Sequence, residues 1–103
     1  MSQSADPSIE SGVILDEELK EPAMYRVLLH NDDYTHMDFV VMILEEVFHK
    51  TNEEAVAIMM SVHNAGVGTC GVYTKEIAEY RVGVVARRAK EAGFPLLCTM
   101  EKE

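Results

Sequence analysis

Tyr25-Arg-Val-Leu-Leu-His30, Asn31-Asp-Asp-Tyr-Thr-His36 and Met37-Asp-Phe-Val-Val-Met-Ile-Leu-Glu-Glu-Val-Phe48 follow one another without a gap. Their reading decides the fold. The first six residues are rich in strand formers. Asn31-Asp-Asp33 then breaks the strand, as turn-forming side chains do. Thr35 followed by Asp38 resembles a capping box with a short acidic partner. Met37, Val40, Val41, Leu44, Val47 and Phe48 recur at helical spacing, so the turn leads into an amphipathic helix.

Outward from this stretch the pattern repeats. Thr51 with Glu54 forms a second cap, followed by Ala55, Ile58, Met59 and Val62 on one helical face, and Gly66 and Gly68 close that helix. Cys70 to Tyr73 reads as a short strand. Thr74 caps a third helix with Ile77, Ala78, Val82, Val85 and Ala89 inward, ended by Gly93 and Pro95. Leu96 to Met100 is the last strand. Three strands and three amphipathic helices in the order β-α-α-β-α-β pack most economically as an α+β two-layer domain, a small sheet covered on one face.

The chain has 103 residues and holds one domain, taken as residues 23–103. Residues 1–22 carry six acidic side chains against the single Lys20, and only Val13 to Leu15 form an apolar cluster. Such a segment buries too little surface to offset its ordering entropy, so it is expected to be a flexible acidic arm. It lacks the charged-then-apolar character of a secretory signal, and no apolar run approaches the length of a membrane span. A formal charge of −9, nine basic residues against eighteen acidic, argues against a nucleic-acid partner and suits a cationic ligand. Cys70 and Cys98 lie in apolar strands and read as buried thiols of a cytoplasmic protein.

The most polar part of the domain is His30 to His36. Asn-Asp-Asp is ordinary turn chemistry, yet loops held by rigid elements are common binding places. His63 lies near the end of the second helix, one turn after Met59 on the same face. If that helix folds back antiparallel, Asn31, Asp32, Thr35 and His63 gather around an opening bordered by Met37, Val40, Met59 and Val62. A polar rim over an apolar floor and a plain packed core both remain open on residues alone. Catalytic readings have little support: there is no G-x-S-x-G elbow, P-loop or dinucleotide fingerprint. Asp32, Asp33, His30, His36 and His63 lack the spacing of a zinc helix, so neither metal nor cofactor is expected.

Met24-Tyr-Arg-Val27, Asn31-Asp-Asp-Tyr-Thr35, Val62-His63, Cys70-Gly-Val-Tyr-Thr74, Ala78-Glu79 and Pro95-Leu-Leu-Cys-Thr-Met-Glu-Lys102 together resemble the ClpS family of bacterial N-end-rule adaptors. The resemblance runs from about Pro22 onward. It implies a three-stranded antiparallel sheet with three helices, like the C-terminal domain of the ribosomal stalk protein. It also implies a protein without catalytic activity that binds substrates beginning with Phe, Leu, Tyr or Trp. These N-degron proteins it delivers to the N-terminal domain of the AAA+ unfoldase ClpA, for degradation by ClpP. Matched by motif, Asn31, Asp32 and His63 hold the substrate's α-amino group, and Asp33 and Thr35 bind its first peptide unit or shape the loop. Met37, Val40, Met59, Val62 and Leu96 line the side-chain pocket, with Met37 as the gatekeeper against β-branched residues. Glu76 and Arg81 contact the unfoldase, and the arm engages it during delivery.

Two departures stand out. His36 occupies a position where the family commonly has Pro, which frees a backbone N–H and loosens the loop. Tyr80 replaces a smaller Thr beside the unfoldase contact. Both are compatible with a divergent second paralogue of the kind alphaproteobacteria carry. Two other roles share the implied fold: a stalk-type protein-interaction module without an amine pocket, and a regulator that occupies the unfoldase.

Overall fold

A computed structural model describes residues 22–103; all of the expected arm except Pro22 lies outside the described residues. The elements are β1 (Met24–His30), α1 (Met37–Glu46), α2 (Asn52–Ala65), β2 (Val67–Thr74), α3 (Lys75–Ala92) and β3 (Leu97–Lys102). They follow the expected order. The sheet runs β2-β1-β3, with β1 in the centre and antiparallel to both neighbours.

Alternation along β1 sets the layers. Val27 and Leu29 are fully buried, while Arg26, Leu28 and His30 between them are only partly covered. A strand places successive side chains on opposite faces, so the helices cover one face and leave the other open. Helix α3 packs across all three strands, α2 lies against β2, and α1 lies against α2. Ile43, Leu44, Ala55, Ala78 and Val85 fill the space between them, each 0% exposed. On the open face Arg26 pairs with Glu101 at 3.0 Å and Glu103 at 3.4 Å, joining β1 to β3.

Several boundaries differ from those read off the residues. His36, not Thr35, is the N-cap of α1, and no side chain caps it. The Thr35 hydroxyl is drawn away by Asp32, to which it donates at 2.8 Å. The box at Thr51 does form: its Oγ1 accepts from the Glu54 N–H at 3.1 Å, and Glu54 Oε1 accepts from the Thr51 N–H at 3.0 Å. Thr74 occupies the N-cap of α3 without a side-chain cap bond. Helix α1 stops at Glu46, and Val47 and Phe48 are buried beyond it. The chain reverses through His49, which adopts a left-handed φ of 57°.

Gly66 ends α2, but Gly68 belongs to β2, which begins three residues earlier than expected. A Cβ on Gly68 would stand 2.7 Å from Val62 Cγ2 and 3.2 Å from the Ile58 carbonyl oxygen, so its absence lets α2 close on the sheet. Between Val27 and Leu28 the β1–β2 register shifts past Cys70, a bulge. Ile77 is 44% exposed rather than inward, while Ala78, also expected inward, is fully buried in the first turn of α3.

Candidate functional site

The site begins where β1 ends. The Asn31 N–H donates to the Gly66 carbonyl at 2.9 Å, and the Gly66 N–H donates to the Val62 carbonyl at 2.9 Å. The turn after β1 is thereby fastened to the closing turn of α2, which carries His63. Gly66 has φ 89°, a left-handed conformation that glycine adopts without strain.

Asp32 organises the loop that follows. Its Oδ1 accepts from the backbone N–H groups of Tyr34 at 2.8 Å and Thr35 at 2.7 Å, and its Oδ2 accepts from Thr35 Oγ1 at 2.8 Å. Partial burial pushes its pKa up, but the donors on Thr35 and Tyr34 together outweigh that and hold it below the ordinary carboxylate range. Asp32 therefore stays ionised at neutral pH. The side chains of Asn31, Asp33 and His63 are exposed.

These residues rim a cavity of about 290 Å³. Asn31, Asp32, Asp33, Thr35 and His63 supply its polar side, and Met37, Val40, Met59, Val62 and Leu96 its apolar side. Val40, Val62 and Leu96 are 6%, 3% and 7% exposed and make a buried floor. Met59 is half-buried, and Met37, at 45% exposure, forms a lip. All ten residues named for the site in the sequence thus surround one opening. His30 joins them, a lining residue that sequence reasoning did not place there. Its Nε2 lies 2.8 Å from Thr99 Oγ1, and its position directly before Asn31 was the available signal.

Glu76 and Arg81 lie away from this cavity. Glu76 is exposed on the first turn of α3 and borders a second hollow with Pro22, Ala23, Tyr25, Thr74 and Lys75. Arg81 is engaged internally: Nη1 donates to the Val47 carbonyl at 2.7 Å, and the guanidinium sits 4.8 Å from the centre of the Tyr73 ring. Tyr80 beside it is 71% exposed.

Cys70 and Cys98 are free and buried. Burial, reinforced by Cys98, pushes the Cys70 thiol far above its ordinary value; burial alone pushes Cys98 up to about 12. Neither offers a thiolate nucleophile at neutral pH. Among the described residues no group of three or more His, Cys, Asp or Glu is placed to hold a metal ion. No described helix is long and apolar enough to cross a membrane.

Comparison with known proteins gives the same answer from several directions. The family model of the ATP-dependent Clp protease adaptor protein ClpS matches residues 20–99. The ClpS adapter protein of Oleidesulfovibrio alaskensis is 58% identical over 93 residues, covering 90% of this chain and 89% of that one. That of Lawsonia intracellularis is 50% identical over 106 residues, covering 99% and 97%. Among solved structures, Agrobacterium tumefaciens ClpS2 bound to L-phenylalaninamide superposes with a TM-score of 0.78 at 38% identity, covering 81% of this chain and all of the other. The chain belongs to the ClpS family of ATP-dependent Clp protease adaptor proteins.

Proposed function

We propose that this chain is a non-catalytic cytoplasmic adaptor that reads the first residue of N-degron proteins and delivers them to a ClpA-type unfoldase for degradation by ClpP. The observation that carries this reading is the single cavity in which Asn31, Asp32 and His63 face an apolar floor of Val40, Val62 and Leu96. A similar protein is known with L-phenylalaninamide bound, a ligand that has a free α-amino group and one large side chain.

The chemistry suits that ligand. An α-amino group has a pKa of about 7.7–8.0 and is largely cationic at neutral pH, with three hydrogens to donate. A carboxylate offers about four lone-pair sites. Asp32 uses two on Oδ1 and one on Oδ2 within its own loop, which leaves one on Oδ2 for the ammonium. The Asn31 carbonyl and an unprotonated His63 nitrogen supply the other acceptors. Asp33 and Thr35 hold the loop against the first peptide unit.

Magnitudes divide the work. Burying a Leu or Phe side chain yields about 1.5–3 kcal/mol, which selects among substrates. Losing one partner of a desolvated charge pair costs about 2–5 kcal/mol, which separates free N-termini from blocked ones. At about 290 Å³ the cavity accepts one side chain and its adjoining backbone, not a long peptide. Glu76 and Arg81 on the far side, with residues 1–22, serve the unfoldase.

The test is fluorescence anisotropy with a peptide beginning with Phe or Leu, beside the same peptide acetylated. Binding of the free form with loss on acetylation is the expected result. Equal binding of both, or none of either, would point to an interaction module without an amine site.

A further inference from the structure

His36 does not line the cavity, yet it is joined to two segments that do, those carrying Met37 and Leu96. Its ring lies 4.8 Å from that of Phe94, centre to centre, with the planes tilted by 50°. Phe39 also meets Phe94, at 4.9 Å and 55°. These are tilted aromatic contacts of the favourable kind.

The three rings belong to two segments far apart in the chain. His36 is the N-cap of α1, and its carbonyl accepts from the N–H groups of Phe39 at 3.1 Å and Val40 at 3.2 Å. Met37, the lip of the cavity, follows it directly. Phe94 lies just beyond α3, where its N–H donates to the Ala89 carbonyl at 2.9 Å. Two residues later comes Leu96, part of the cavity floor. The ring contact therefore ties the segment carrying Met37 to the segment carrying Leu96. Phe94 precedes Pro95 in a short turn, and its ring meets the start of α1 at His36 and Phe39.

We propose that His36 is a positioning residue that sets the width of the side-chain pocket, by bracing the Phe94–Leu96 turn against the start of α1. It fixes which first residues are accepted rather than how the amine is held. This rests on the function proposed above. His36 has φ −69° and ψ 141°, a conformation proline also adopts. His36→Pro thus removes the ring while keeping the backbone, and His36→Phe keeps an aromatic ring.

The experiment measures the affinities of wild type, His36→Pro, His36→Ala, His36→Phe and Phe94→Ala for two peptides that differ only in beginning with Leu or Trp. With the brace gone, the turn carrying Leu96 withdraws and the wide indole gains. The Trp-to-Leu affinity ratio is expected to rise at least about threefold in His36→Pro, His36→Ala and Phe94→Ala, as the strength of one aromatic pair allows. It stays near the wild-type value in His36→Phe. General loss of stability lowers both affinities together and leaves the ratio unchanged. An unchanged ratio in His36→Ala and His36→Pro, with wild type binding both peptides, overturns the bracing role alone; so does a shift in His36→Phe as large as in His36→Ala. A wild type that binds neither peptide overturns the proposed function and the bracing role with it.

Discussion

The Asn31 N–H donates to the Gly66 carbonyl at 2.9 Å, a bond between residues 35 positions apart that closes the excursion through α1 and α2. This bond sets the distance between the loop acceptors Asn31 and Asp32 and the imidazole of His63. Three candidate acceptors for one ammonium group thereby come from two segments held at fixed separation. Orienting them in advance lowers the entropy lost when a ligand is bound.

Gly66→Ala tests that fastening. Nothing lies within 4 Å of a Cβ placed at this position, so the only penalty is the left-handed backbone at φ 89°. That costs about 1–2 kcal/mol for an L residue. Urea unfolding is expected to show a loss of that order, together with weaker binding of a Phe-initiated peptide. An unchanged midpoint would mean that the turn relaxes freely.

Asp32→Asn is expected to reduce affinity for a free N-terminus at least about thirtyfold, the low end for breaking a desolvated charge pair. The effect should vanish against an acetylated peptide, which isothermal titration calorimetry can compare directly.

The pH dependence of folding tests the Asp32 loop. The lowered pKa of Asp32 means that its loop bonds stabilise the fold above the unfolded value near 3.8 and are lost as pH falls through the lower folded value. The stability difference between wild type and Asp32→Ala in urea is expected to hold at neutral and mildly acidic pH and to shrink once the pH falls below about 3.8. A difference that is the same at every pH would mean that the loop does not depend on the carboxylate charge.

Met37→Ala opens the lip of the cavity without touching its buried floor. The variant is expected to bind peptides beginning with Ile or Val, and wild type is expected to reject them. Continued rejection would assign the exclusion of branched residues to Val40 or Leu96 instead.

Delivery mutants need a stability control, because the two proposed contacts differ. Glu76 is exposed, and Glu76→Ala is expected to stay within about 0.5 kcal/mol of wild type. Arg81→Ala leaves the Val47 carbonyl without its donor and is expected to cost about 1–3 kcal/mol. A degradation assay with purified unfoldase and protease should slow for Glu76→Ala and for a chain lacking residues 1–20, while peptide binding survives in both. Full-speed degradation by either would dismiss that contact.

The residues disclosed the element order, because hydrophobic spacing, the Thr51–Glu54 box and the glycine at position 66 all agree. Local signals failed where a longer-range contact competed. Thr35 looked like a cap until Asp32 took its hydroxyl. The end of α1 was hidden because His49 enters the left-handed region without being glycine or asparagine. Gly68 looked like helix punctuation, whereas its function is to admit Val62 against β2. The cavity wall was legible as a Met and Val stripe, but the tilted contact of His36 with Phe94 was not. Those rings are distant in sequence, and no periodicity links them.

The cavity draws its wall from the loop after β1, from α1 and α2, and from the turn before β3. No contiguous peptide contains it, so recognition cannot be transplanted as a short graft. It also cannot be complete in a half-made chain: until the turn bearing Leu96 has been synthesised and folded, the floor of Val40 and Val62 lacks its third member. Capture of a substrate is therefore a certificate that the adaptor itself has finished folding.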